Sequence, residues 1–187
     1  MDIIGHFLTV TEHRLEVMKY CFKCGLYLQG ITHDLSKYAP VEFLNGARYY
    51  QGYRSPNNAE REDKGYSAAW LHHKGRNRHH YEYWVDYCSE VSLASPGSGG
   101  MMPVEMPRKY LVEMICDRIA ASKVYNKGRY TDDMPLKYFE RSKDKILMHE
   151  NTKKELHAFL KMIAVFGEDR TLKFIRERYL NHGQDNY

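Results

Sequence analysis

Residues 3–24 read IIGHFLTVTEHRLEVMKYCFKC. Val10, Val17, Cys21 and Cys24 recur there at spacings of 7, 4 and 3, and after Gly5 neither Pro nor Gly interrupts the run. Positions three or four apart stack one turn above another, so this period predicts an α-helix with one core-facing stripe. Gly25 follows as a helix stop, because glycine adopts the left-handed closing conformation at little cost. The same stripe contains His13, three residues after Val10 and four before Val17. A side chain that places an imidazole in a core-facing position needs a polar partner there.

Outward from this helix the helical period returns. Pro40, tolerated in a first helical turn, opens a run over residues 41–50. Residues 66–74, 79–87, 104–125, 136–149, 152–166 (with Asn151 as N-cap) and 168–180 also read as helical. Residues 52–65, with Ser55-Pro56-Asn57-Asn58 inside them, 94–103 (ASPGSGGMMP) and 126–135 read as loops. No β-type alternation of useful length appears, so the expected fold is all-α. The 94–103 connection is too short to separate two domains, and residues 1–187 are expected to form one helical domain.

Composition narrows the function classes. With 43% hydrophobic and 28% charged residues the chain fits a globular domain rather than a disordered one. Apolar runs stay far below the ~20 residues of a membrane-spanning helix, and no basic stretch precedes an apolar one at the N-terminus, so a soluble, cytoplasmic protein without a membrane partner is expected. The net charge of +4 is mild and spread along the chain, so nucleic-acid binding is not indicated. Cys21, Cys24, Cys88 and Cys116 lie in helical patterns and read as reduced thiols; Cys21-x2-Cys24 has half the spacing of a zinc site but no second pair. Ten histidines and sixteen tyrosines stand out.

The chemistry centres on HDLSK, residues 33–37. His33 and Asp34 are adjacent ligand types able to face a divalent ion together; the alternative is an Asp that caps a helix. Lys37 lies four residues after His33 and three after Asp34, so a helical turn puts all three on one side. Asp117 joins Tyr110, Met114, Ala121 and Val124 on a stripe, where a buried carboxylate needs a metal or a partner such as Arg118. His72, His73, His79 and His80 form a second cluster, either ligands or an exposed polar turn. His73 pairs with Trp70 and His80 with Trp84 at helical spacing, which argues for partial burial. Lys74, Arg76 and Arg78 interleave with them and would suit an anionic phosphate.

The order His13, His33-Asp34, Asp117 resembles the metal-binding pattern of the HD-domain superfamily, all-helical proteins that are mostly metal-dependent phosphohydrolases. The resemblance implies that these residues hold a divalent ion, and that Lys37 of HDLSK, similar to the HDIGK-type segment of many members, lies near the bound phosphate. Two-metal members carry extra histidines between the His-Asp pair and the last Asp, the interval that holds His72, His73, His79 and His80 here. The sequence also resembles an uncharacterised phage and bacterial family with HDLSK, an EF pair, AW-x-HH and N-x-HH-x-EYW segments and EM-x-x-D. These are His33 to Lys37, Glu42-Phe43, Ala69 to Trp84 and Glu113 to Asp117, with Tyr38 and Tyr81 where Phe and Trp are common and SPGSGG lengthening a loop.

The expectation is therefore a phosphohydrolase with one or two Mn, Fe, Co, Ni or Zn ions, acting on a small phosphorylated molecule such as a nucleotide, with Asp34 and Lys37 as its catalytic residues. A di-iron oxygenase on the same scaffold and a regulatory protein with a structural metal are the alternatives.

Overall fold

The computed structural model describes residues 1–88, 90 and 97–181. The fold is all-α, as expected. Helix α1 (Ile3–Lys23) starts where the Asp2 carboxylate accepts the Gly5 N–H at 2.8 Å, and it closes through Gly25 at φ +80°. After it come α2 (Tyr27–Thr32), a 3₁₀ turn (Leu35–Tyr38), α3 (Pro40–Tyr49), α4 (Pro56–Lys64) and α5 (Ala68–Lys74). A 3₁₀ turn (Tyr81–Tyr83) leads to strand β1 (Val85–Tyr87), which pairs antiparallel with β2 (Met101–Pro103). Then follow α6 (Arg108–Asn126), α7 (Met134–Glu140), α8 (Glu150–Phe166), α9 (Glu168–Phe174) and a π-helical turn (Ile175–Tyr179).

The chain divides into two compact units, residues 1–77 with 116–130, and residues 78–115 with 131–187. In the first, α1 packs on α2 and α3, and α3 on α4 and α5. Its buried interior includes Val10, Val17, Tyr20, Cys21, Cys24, Ala47, Cys116, Ile119, Ala120 and Val124. In the second, α8 packs on α7 and α9, burying Phe139, Leu156, Leu160, Ile163, Leu172 and Ile175.

Several segments differ from the sequence reading. Residues 56–64 are a helix, not a loop: Pro56 occupies its first turn, Ala59 and Glu60 are buried, and Lys64 pairs with Glu60 one turn away. Residues 79–87 form a 3₁₀ turn and a strand rather than a helix, because Val85, Asp86 and Tyr87 find ladder partners in Pro103, Met102 and Met101. Those partners lie in the expected 94–103 loop, of which residues 94–96 lie outside the described residues. Helix α8 is capped by His149, whose Nδ1 accepts the Asn151 N–H, rather than by Asn151. Helix α7 stops at Glu140, well short of residue 149.

Candidate metal centre

Helix α1 supplies His13 from its core-facing stripe, 6% exposed. The chain then leaves α2 through His33 and turns at Asp34, which is in the left-handed conformation (φ 53°, ψ 25°), a region that Asp tolerates better than most residues. This turn is pinned from α1. Arg14 donates from Nε to the His33 carbonyl at 2.8 Å and from Nη2 to the Ile31 carbonyl at 3.1 Å. Its guanidinium sits over the Tyr38 ring, whose hydroxyl pairs with Thr11 Oγ1 at 3.0 Å. One turn of α1 thus delivers an imidazole and holds the backbone that delivers the next two candidate ligands. Asp117 completes the group from α6.

Four side-chain atoms converge. His13 Nε2 lies 3.0 Å from Asp117 Oδ1 and 3.7 Å from Asp34 Oδ2, while His33 Nε2 lies 3.3 Å from Asp34 Oδ2 and 3.6 Å from Asp117 Oδ1. Ligands about 2.1 Å from a tetrahedral ion stand roughly 3.4 Å from one another, so this spacing fits one first-row divalent ion. The donor chemistry fits as well: two imidazoles and two carboxylates suit Mn, Fe, Co, Ni or Zn. Burial, reinforced by the Lys37 charge and partly offset by Asp117 and Asp34, lowers the His13 pKa and keeps its ring neutral, the form that can ligate. For Asp34, burial pushes the pKa up, but His33, Lys37 and His73 outweigh it and hold the carboxyl well below the usual range.

Lys37 Nζ lies 2.7 Å from Asp34 Oδ2. Burial would lower its pKa, but Asp34 and Asp117 outweigh burial and keep the ammonium charged. Asp117 is 18% and Lys37 30% exposed, so one side of the group meets solvent. Asp117 is half-buried, while Met114 and Val124 of its sequence stripe are buried at 2 and 3% exposure.

The other oxygen of Asp34 faces a second layer. His73 Nε2 is 3.2 Å from Asp34 Oδ1, and His73 Nδ1 is 2.8 Å from Glu42 Oε2. His72 Nδ1 meets the other Glu42 oxygen, so one carboxylate on α3 receives both adjacent histidines of α5. Ser36 Oγ and Asn77 Nδ2 also approach His73 Nδ1, at 3.2 and 3.1 Å. Helix α5 is fixed for this task by Ser67, which accepts the Trp70 N–H and donates to the buried Glu60. His73 is 2% exposed and its ring lies 5.7 Å from that of Trp70, in line with the partial burial expected.

The remaining sequence candidates have contacts of their own. Arg76, just past the end of α5, turns back to donate to the His72 carbonyl, and Lys74 is half-buried. Arg78, His79 and His80 belong to the second unit: Arg78 donates to the Tyr110 hydroxyl, His79 Nδ1 lies 3.1 Å from Glu113 Oε1, and the His80 ring centroid is 4.0 Å from that of His79. Cys21, Cys24 and Cys116 are buried, and burial raises the Cys116 pKa; among the described residues no group of three or more converging metal-binding side chains contains a cysteine. Arg14 was not picked out from the sequence, and Ser36, Glu42 and Asn77 stood only within the motifs of the family resemblance, with no role given. Arg14 had one signal, its place next to His13.

The family described as "Family of unknown function (DUF5662)" matches residues 2–162. No curated protein and no solved structure matches the chain.

Proposed function

The chain belongs to the DUF5662 family, and for this member we propose a divalent-metal-dependent phosphohydrolase acting on a small phosphorylated molecule, with a nucleotide as the first class to try. His13, His33, Asp34 and Asp117 would hold the ion, and with it the site would have Lewis acidity for a phosphoryl oxygen. The observation that carries the reading is the ammonium of Lys37, held 2.7 Å from an oxygen of this four-ligand group, on the side open to solvent. A purely structural metal needs neither a fixed cation nor solvent access. A phosphate ester needs both, because its non-bridging oxygens carry negative charge that grows on the leaving group as the bond to phosphorus breaks.

The residues divide the work. Arg14 fixes the His33-Asp34 backbone, Asp34 and Asp117 orient through their carboxylates, and Lys37 binds the phosphate and neutralises developing charge. Water cleaves the ester to an alcohol and inorganic phosphate. The test is elemental analysis of purified protein, then a screen of nucleotides and sugar phosphates with Mn and Co added, reading released phosphate. Metal at near one or two ions per chain with phosphate release supports the reading. Protein that neither carries nor takes up these metals overturns it, and metal-loaded protein that releases no phosphate from the panel overturns the hydrolase assignment.

A further inference from the structure

The outward face of α1 carries a second stripe. Ile4, Leu8, Thr11, Leu15, Met18 and Phe22 follow one another at spacings of 4, 3, 4, 3 and 4, and Ile4, Leu8, Leu15 and Phe22 are 73, 60, 55 and 36% exposed. The mean spacing is 3.6 residues, the period of a straight α-helix, so the stripe stays on one face of α1 for about 27 Å. Ile3 and Phe7, 48 and 47% exposed, widen it on one flank. At its C-terminal end Phe22 meets the ring of Tyr27, itself 54% exposed. Contiguous apolar surface of this kind marks a docking face.

The other flank identifies the occupant. Glu12, Glu16, Lys19 and Lys23 all lie to one side of the stripe, about 60 to 120° around the helix from its centre, with the acids toward the N-terminus and the bases toward the C-terminus. An antiparallel copy of α1 sets this flank against itself and reverses it end for end. With Leu15 of one copy against Met18 of the other, Glu12 falls level with the point midway between Lys19 and Lys23 of the second copy. A parallel copy would instead bring the charged flank against the apolar Ile3 and Phe7 flank, and an anionic lipid surface would meet as many acids as bases. We propose that the outer face of α1 binds a second copy of this chain in antiparallel register, burying the Ile4 to Phe22 stripe and pairing Glu12 with Lys19 and Lys23 across the two-fold axis.

Analytical ultracentrifugation of the full chain from about 1 to 100 μM tests this. The wild type is expected to dimerise within that range. Leu8→Glu with Leu15→Glu should be monomeric throughout with an unchanged circular dichroism spectrum, since both side chains are already exposed. Glu12→Lys should raise the dissociation constant about tenfold, two symmetric pairs being lost at once, and adding Lys19→Glu should recover most of the loss. The proposal is overturned by a wild type that stays monomeric, by a dimer that persists in the Leu8→Glu, Leu15→Glu protein, or by a charge swap that recovers nothing. A wild type that stays monomeric but floats with phosphatidylcholine vesicles would overturn it in favour of a lipid surface.

Discussion

Lys37 Nζ lies 2.7 Å from Asp34 Oδ2, the same oxygen that faces His33 Nε2 at 3.3 Å and His13 Nε2 at 3.7 Å. A fixed cation and two ring nitrogens therefore share one carboxylate oxygen, and the left-handed backbone of Asp34 is what turns that oxygen toward all three. Residues other than Gly, Asn and Asp hold this conformation at a cost, so an Asp here combines the required charge with the required turn.

Asp34→Asn separates these two properties, because Asn accepts the left-handed conformation while losing the charge. The variant should keep its helical circular dichroism yet retain no Mn, Co or Zn after gel filtration. Metal occupancy equal to the wild type would mean that Asp34 is a turn residue and not a ligand.

Lys37→Met keeps most of the apolar stem and removes the ammonium. In metal-loaded protein the ion still compensates Asp34, so metal content should hold. Turnover of any verified phosphate ester should fall by roughly 100-fold, mainly in kcat, as for other preorganised charge-stabilising groups. Undiminished turnover would take Lys37 out of the site.

How much of this was legible depended on whether the signal was local. His13 could be read because it interrupts a stripe of Val10 and Val17, and it is buried as that reading requires. Lys37 could be read from its spacing to Asp34. Asp117 was found on a looser argument, since α6 buries residues around much of its circumference and no single stripe on it marks the core. Glu42 could be read only as part of the EF pair of the family resemblance and not as a partner of His72 and His73, which lie some thirty residues further on. The β1–β2 pairing escaped for the same reason, as three residues carry too short an alternation to be seen without their partners. Helix α4 was hidden by Pro56 and two asparagines that look like a turn until tertiary burial of Glu60 is known.

His6 gives a pH prediction away from the proposed ligands. It is 7% exposed, lies between Phe43 and Tyr50, and packs so closely on Gly46 that a Cβ there would meet its ring. Burial and the Lys37 charge push its pKa down from 6.5 to about 4, with Asp2 opposing weakly. Between those values the unfolded chain binds a proton that the folded chain refuses, so this ring's stabilising effect is complete above pH 6.5 and is lost as pH falls toward 4. Nδ1 of His6 makes no hydrogen bond, so His6→Leu should be tolerated. Urea unfolding at pH 7.5 and 4.5 should show the variant gaining on the wild type at the lower pH. A stability difference that does not move with pH would show that the ring is not held neutral.

Glu42→Gln tests the layer behind the proposed ligands. Glu42 accepts from Nδ1 of both His72 and His73, and His73 in turn presents Nε2 to Asp34 Oδ1 at 3.2 Å. A glutamine keeps the volume but offers one carbonyl and one NH₂ group, so it accepts from one histidine and opposes the other. His73 then loses the contact that sets its ring orientation, and Asp34 loses the support behind its second oxygen. Outer partners of this kind typically change metal affinity 10- to 100-fold, so competition against a fluorescent chelator should show Mn or Co binding weakened by at least about tenfold. His72→Gln leaves the Glu42–His73 contact in place and should change affinity far less. If both variants bind metal as the wild type does, the Glu42 carboxylate only joins α3 to α5 and does not tune the centre.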